Sequence, residues 1–93
     1  MKSPTDFCDE LTYALHVSPY VNSNKWNREE SDVVSAVING YSRSQGFFPF
    51  NLGYKNGRLI FTLRNCYAQY FKACVLYDGG YIKVRLVKDY CNA

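Results

Sequence analysis

Residues 47–90, FFPFNLGYKNGRLIFTLRNCYAQYFKACVLYDGGYIKVRLVKDY, decide the fold. Aromatic and β-branched residues alternate there with basic ones across two turn signals, Asn56-Gly57 and Asp78-Gly79-Gly80. Asn-Gly and Gly-Gly pairs tolerate the positive backbone angles that two-residue hairpin loops require, so the pattern predicts two hairpins in one antiparallel sheet.

The register follows from the turns. With Asn56-Gly57 as the loop, Tyr54 faces Leu59, Leu52 faces Phe61 and Phe50 faces Leu63, six apolar residues on one side. Side chains alternate along a strand, so Asn51, Gly53, Arg58, Ile60, Thr62 and Arg64 fall on the other side. In the second hairpin, a loop at Asp78-Gly79 or at Gly79-Gly80 leaves the faces the same. Phe71, Ala73, Val75 and Tyr77 go with Ile82, Val84 and Leu86, while Lys72, Lys83 and Arg85 go with Tyr70, Cys74, Leu76 and Val87. A three-residue loop would set Val75 against Lys83 and mix the faces, which a half-buried sheet disfavours. One competitor stands: Tyr67, Tyr70, Phe71, Cys74 and Val75 also recur at helical spacing behind Asn65 as a cap. The aromatic and β-branched content of residues 66–76 favours a strand.

Ninety-three residues suffice for one core, so residues 1–93 are expected to form a single compact domain. A hydrophobic fraction of 47%, with nine Tyr, six Phe and one Trp, marks a folded chain and excludes intrinsic disorder. No apolar run approaches the roughly 20 residues of a bilayer span. Met1-Lys2-Ser3-Pro4-Thr5-Asp6 has no apolar segment behind the lysine that would mark a secretion signal, so the expected location is the cytoplasm. There Cys8, Cys66, Cys74 and Cys91 are expected to be reduced. No C-x-x-C occurs and His16 is the only histidine, so neither a structural metal nor a cofactor is expected.

Charge divides unevenly along the chain. Residues 1–45 carry four cations against six carboxylates, and residues 46–93 carry seven against two, within a net charge of +3. The basic character therefore belongs to the sheet.

Upstream, Ser3-Pro4-Thr5-Asp6 has the form of a helix start: a serine cap, proline at the first helical position and an acid three residues after the cap. Phe7, Cys8, Leu11, Ala14 and Leu15 continue it as an apolar stripe that ends near Val17, before Pro19. His16 reads as a last-turn residue favoured by the helix dipole. Trp26, in the polar connection 18–27, is either an exposed binding aromatic or packed under the next helix, and the second suits a residue that buries most of its surface. Asn27 with Glu30 resembles a capping box for a helix carrying Val33, Val34, Val37, Ile38 and Tyr41, and Gly46 is its natural stop. Glu29, Glu30 and Asp32 sit where a helix N-terminus favours negative charge. Pro49 cannot donate to a ladder and marks an edge or an entry to the sheet, leaving the Phe47–Phe50 cluster as core or contact. Residues 65–68 are a short connector, and residues 91–93 are expected to fray.

The expected architecture is α+β: two N-terminal helices packed on one face of a C-terminal four-stranded antiparallel sheet of two hairpins, a two-layer sandwich. The uncovered face bears Arg58, Arg64, Tyr70, Lys72, Lys83 and Arg85, with Ile60 among them. Such cations also serve solubility and guard a sheet against edge pairing. A field of one sign, however, attracts an anionic partner.

No catalytic or cofactor motif is present, and an enzyme would need Cys8, Cys66 or Cys74 brought to His16 by the fold. The expectation is a small non-enzymatic binding or inhibitor protein that docks by this face on an acidic protein surface, such as that of a nucleic-acid-handling host complex. Phages and mobile elements use proteins of this size and style to block host machinery, anti-CRISPR proteins among them; the likeness is one of size and style alone. The alternative is direct nucleic-acid binding by the same face, with Tyr70 stacking on bases. Against it, pI 8.7 is modest and no RNA-recognition motif is present. Ten residues between the helices are too many for a helix-turn-helix.

Overall fold

The structure, a computed structural model, describes residues 3–87. The elements run α1 (Pro4–Val17), α2 (Glu30–Ser44), β1 (Phe48–Lys55), β2 (Arg58–Arg64), β3 (Tyr70–Asp78) and β4 (Tyr81–Leu86), an α+β chain. The sheet is an antiparallel meander of order β1-β2-β3-β4. Residues 66–76 supply most of a strand and no helix, and Lys88, Tyr90 and the expected fraying of residues 91–93 lie outside the described residues.

The first helix begins where its sequence dictates: Ser3 Oγ accepts from the Asp6 amide at 3.1 Å, capping α1. The second starts later than expected: Asn27 Oδ1 accepts from the Glu30 amide at 3.1 Å, but α2 opens at Glu30 with Glu29 at its N-cap and no side-chain cap bond there, so Asn27 shapes the turn that precedes the helix. At the far end of α2, Gly46 takes φ +82° and the Phe47 amide bonds Ser42 O at 2.9 Å, the glycine-terminated pattern that satisfies late carbonyls. That turn sends Phe47 straight into the core, where its ring stacks on Phe7 with centroids 4.2 Å apart. The buried stripe of α1 is Phe7, Cys8, Leu11 and Leu15. In α2 it is Ser31, Val34, Ile38 and Ser42, rotated from the expected one so that Val33, Val37 and Tyr41 are only partly buried.

One core cluster joins these helical residues to Leu59, Phe61, Leu63, Ala73, Val75, Ile82 and Val84, all from one side of the sheet. Helix α1 lies against β4 and α2 against β1. Fully burying such aliphatic and aromatic side chains contributes about 1.5–3 kcal/mol each, which makes the two-residue alternation of β2 and β4 the main determinant of register.

Both hairpins use two-residue loops, Asn56-Gly57 and Gly79-Gly80, with positive φ at all four positions. The second hairpin has the expected faces, with Val75 opposite Val84 and Tyr77 opposite Ile82. The first departs from expectation beyond Gly53. Tyr54 faces Leu59, but Phe50 faces Thr62 and Pro49 faces Leu63, because the register shifts between Phe50 and Gly53. Asn51, at φ +57°, lies in this β-bulge. One extra residue reverses parity, so the expected pairs Leu52–Phe61 and Phe50–Leu63 are not formed. Pro49 turns inward and is buried, while Phe48 and Phe50 move to the side of Arg64 and Thr62.

The connector between β2 and β3 is built by one side chain. Asn65, 6% exposed, accepts from the amides of Tyr67 and Gln69 through Oδ1 at 2.9 and 3.0 Å and donates from Nδ2 to Gln69 Oε1 at 2.8 Å. Two side chains tie distant segments together. Trp26, expected to pack under the next helix, is partly buried against the core and meets the first hairpin, its Nε1 donating to Gly57 O and its ring lying 5.7 Å from that of Tyr54. His16 lies in the last turn of α1 as expected, and its Nε2 donates to Ile82 O at 2.8 Å, which makes it a bridge to β4 as well.

Candidate functional site

The backbone register determines which side chains share the side of the sheet opposite the core. On β2 these are Arg58, Ile60, Thr62 and Arg64; across from them on β3, Cys74 faces Ile60, Lys72 faces Thr62 and Tyr70 faces Arg64. On β4, Arg85 faces Cys74, Lys83 faces Leu76 and Tyr81 faces Asp78. On β1, Lys55 faces Arg58, Phe50 faces Thr62 and Phe48 faces Arg64. All six residues singled out from the sequence, Arg58, Arg64, Tyr70, Lys72, Lys83 and Arg85, therefore lie on one side.

That side has an internal order. Ile60, Cys74 and Leu76 occupy its middle, Ile60 and Leu76 partly buried and Cys74 5% exposed. Arg58, Lys72, Lys83 and Arg85 surround them. Asp78 is the carboxylate of the same side among the described residues, and it pairs with Arg85 at 3.1 Å with both side chains about half exposed. Such a pair contributes little to stability, because water screens it and two side chains must be ordered to form it. At the end where β1, β2 and β3 meet, the Arg64 guanidinium carbon lies 5.0 Å from the centroid of the Phe48 ring, and Phe50 meets Tyr70 edge-on at 5.9 Å.

Lys55, Asp78, Tyr81, Phe48 and Phe50 also lie on this side and are not singled out by the sequence pattern. Lys55 follows from the hairpin sum that pairs it with Arg58, so its signal was available. Phe48 and Phe50 are placed by the Asn51 bulge, and the only hint in the sequence is an asparagine, a residue that tolerates positive φ, beside Pro49.

Two buried thiols, Cys8 and Cys74, have environments that suppress reactivity, while Cys66 is exposed. Burial pushes the Cys8 thiol up to about 12, with the Asp9 carboxylate and Cys74 acting the same way. Burial also raises Cys74, against the opposing pull of Arg58 and Arg85. A protonated thiol is a poor nucleophile. His16, the base such a thiol would require, bonds Ile82 O through Nε2 and meets Tyr81 edge-on at 5.1 Å. Among the described residues no group of three His, Cys, Asp or Glu is placed to hold a metal ion, and no helix is long and apolar enough to cross a membrane.

No family model matches the chain, and no curated protein and no solved structure is similar to it at a significant level.

Proposed function

We propose that this chain is a small non-enzymatic binding protein, cytoplasmic and of the inhibitor type used by phages and mobile elements. In this reading the helices and sheet form a two-layer sandwich, and the side of the sheet away from the helices docks on an acidic protein surface, such as that of a host nucleic-acid-handling complex. The observation that carries it is the arrangement of that side: Ile60, Cys74 and Leu76 at the centre, cations around them, and Arg64, Phe48, Phe50 and Tyr70 at one end. Protein interfaces have this anatomy, an apolar centre rich in aromatics and arginine inside a polar rim. Aliphatic side chains offer no hydrogen bond to a phosphate or to the edge of a base, so Ile60 and Leu76 argue for a protein partner. The rim cations steer association with an acidic surface.

A second reading, single-stranded nucleic acid on the same side, draws support from the rings of Phe48, Phe50 and Tyr70 beside cations. The two part on one experiment. Tagged protein is used to capture partners from a nuclease-treated host lysate, alongside the double variant Lys83→Glu/Arg85→Glu. A partner held by the wild type and held less by the variant supports the protein reading, and one held equally by the wild type, by this variant and by Arg64→Glu rules out the basic side as the contact. Anisotropy with labelled oligonucleotides checks the second reading, which requires affinity to fall steeply with salt.

A further inference from the structure

The Asn51 bulge is an odd expenditure of structure. Without it, Phe50 would sit opposite Leu63 on the core side; with it, a non-glycine residue is held at φ +57° and an aromatic ring faces outward in place of proline. A non-glycine residue at positive φ costs on the order of 1 kcal/mol and persists where the surroundings impose it, and bulges re-aim side chains beside functional sites. What the bulge makes here is a corner: Phe48 under the Arg64 guanidinium, Phe50 and Tyr70 with their rings perpendicular and 5.9 Å apart, and Tyr70 itself 49% exposed. Among the described residues no carboxylate pairs with Arg64; the ion pairs there are Lys25–Glu30 and Arg85–Asp78. A guanidinium stacked on a ring keeps its in-plane N–H groups available, and that fork matches a carboxylate.

We infer that the corner of Phe48, Phe50, Arg64 and Tyr70 is the anchor of the docking surface and takes a carboxylate side chain on an acidic, aromatic-bearing segment of the partner protein. This rests on the docking reading above and assigns its energetic centre. Arg64 grips the carboxylate in two-pronged fashion, and Phe50 and Tyr70 hold the apolar atoms flanking it. The basic residues toward the Gly79-Gly80 turn, Lys83 and Arg85, act as rim charges that set the rate of encounter. Nucleic acid is the weaker occupant, because the Phe48 face is already covered by Arg64 and Phe50 offers its ring to Tyr70, which leaves no open pair of parallel rings for successive bases.

The probe is a labelled short peptide of alternating Glu and Tyr, titrated by anisotropy at low salt beside a Lys/Tyr peptide and an oligo(dT) of similar length. The acidic peptide should bind and the other two should bind at least about tenfold more weakly. Arg64→Lys keeps the charge but loses the fork and should weaken the acidic peptide about tenfold, with Tyr70→Ala similar; Lys83→Glu should cost only about two- to threefold. Tyr70 is half exposed, so its variant should keep the wild-type melting curve, and Asn51→Gly, which accepts positive φ, should keep wild-type affinity. Corner variants that bind as the wild type does, while Lys83→Glu/Arg85→Glu abolishes binding, would overturn the anchor assignment and leave the docking reading standing. Binding unaffected by either set, or stronger binding of oligo(dT), would overturn both.

Discussion

The backbone amide of Val84 donates to Thr12 Oγ1 at 2.9 Å, while the same hydroxyl donates to Cys8 O at 2.9 Å. Strand β4 is a sheet edge, and its outward groups are taken up in turn: Val84 N by Thr12, Ile82 O by His16 and Ile82 N by Ser23 O at 2.9 Å. The first element of the chain thus closes the edge made by the last, which removes a template for pairing with other chains.

Replacing Thr12 with Val keeps the shape and deletes the acceptor. The Val84 amide is then left at a partly buried edge, and stability should fall by about 1–2 kcal/mol. Thr12→Ser, which keeps the hydroxyl, should lose less. Urea unfolding gives the energies, and hydrogen exchange at Val84 gives the mechanism: protection that stays at the wild-type level in Thr12→Val would show that the bond does not hold the edge.

Asn51 should be replaceable by Gly at little cost, since both accept φ +57°. Asn51→Val places a β-branched residue there and should lose about 1–2 kcal/mol or abolish the bulge. Nuclear Overhauser contacts between Phe50 and Tyr70 distinguish the two outcomes, because a sheet without the bulge turns Phe50 toward the core. Persistence of that contact with undiminished stability in Asn51→Val would mean that the backbone angle is not what re-aims Phe50.

Asn65→Ala removes the acceptor of two amides at a buried connector and should destabilise by about 2 kcal/mol. Asn65→Asp retains that acceptor and should fall between Ala and wild type at neutral pH. Melting temperatures rank the three; equal values for Ala and Asp would assign the effect to the lost Nδ2 bond to Gln69 instead.

Cys8 makes stability fall at alkaline pH. Its thiol ionises near 9.0 when unfolded and at about 12 when folded, so the folded state is favoured fully below pH 9 and loses that advantage between 9 and 12. The slope is at most about 1.4 kcal/mol per pH unit. Stability profiles of wild type and Cys8→Ala should therefore converge as pH rises through this window, and parallel profiles would contradict it. In a Cys91→Ser background at pH 8, a thiol reagent should label the exposed Cys66 quickly and Cys8 and Cys74 only on unfolding.

Near the turns the fold was legible because the signals are local. Asn56-Gly57 and Gly79-Gly80 carry their own turn geometry, and the parity of β2, β3 and β4 follows once those loops are placed. The membership of Arg58, Arg64, Tyr70, Lys72, Lys83 and Arg85 on one side was readable for the same reason. Phe48 and Phe50 were not, because an inserted residue reverses everything upstream of it and no periodicity announces it. The bond of Trp26 to Gly57 was not legible, since the two are 31 residues apart and composition does not choose among distant partners.

Alone, the sequence determined the order of elements, the cap of the first helix, the Asn56-Gly57 loop and the side on which the cations gather, all consequences of spacing within a few residues. Only the tertiary structure decided that Phe50 faces Tyr70, that Arg64 rests on Phe48 and that Thr12 and His16 close β4. Those contacts join residues as far as 72 positions apart, and their geometry exists only once the helices and the sheet have packed around a shared core.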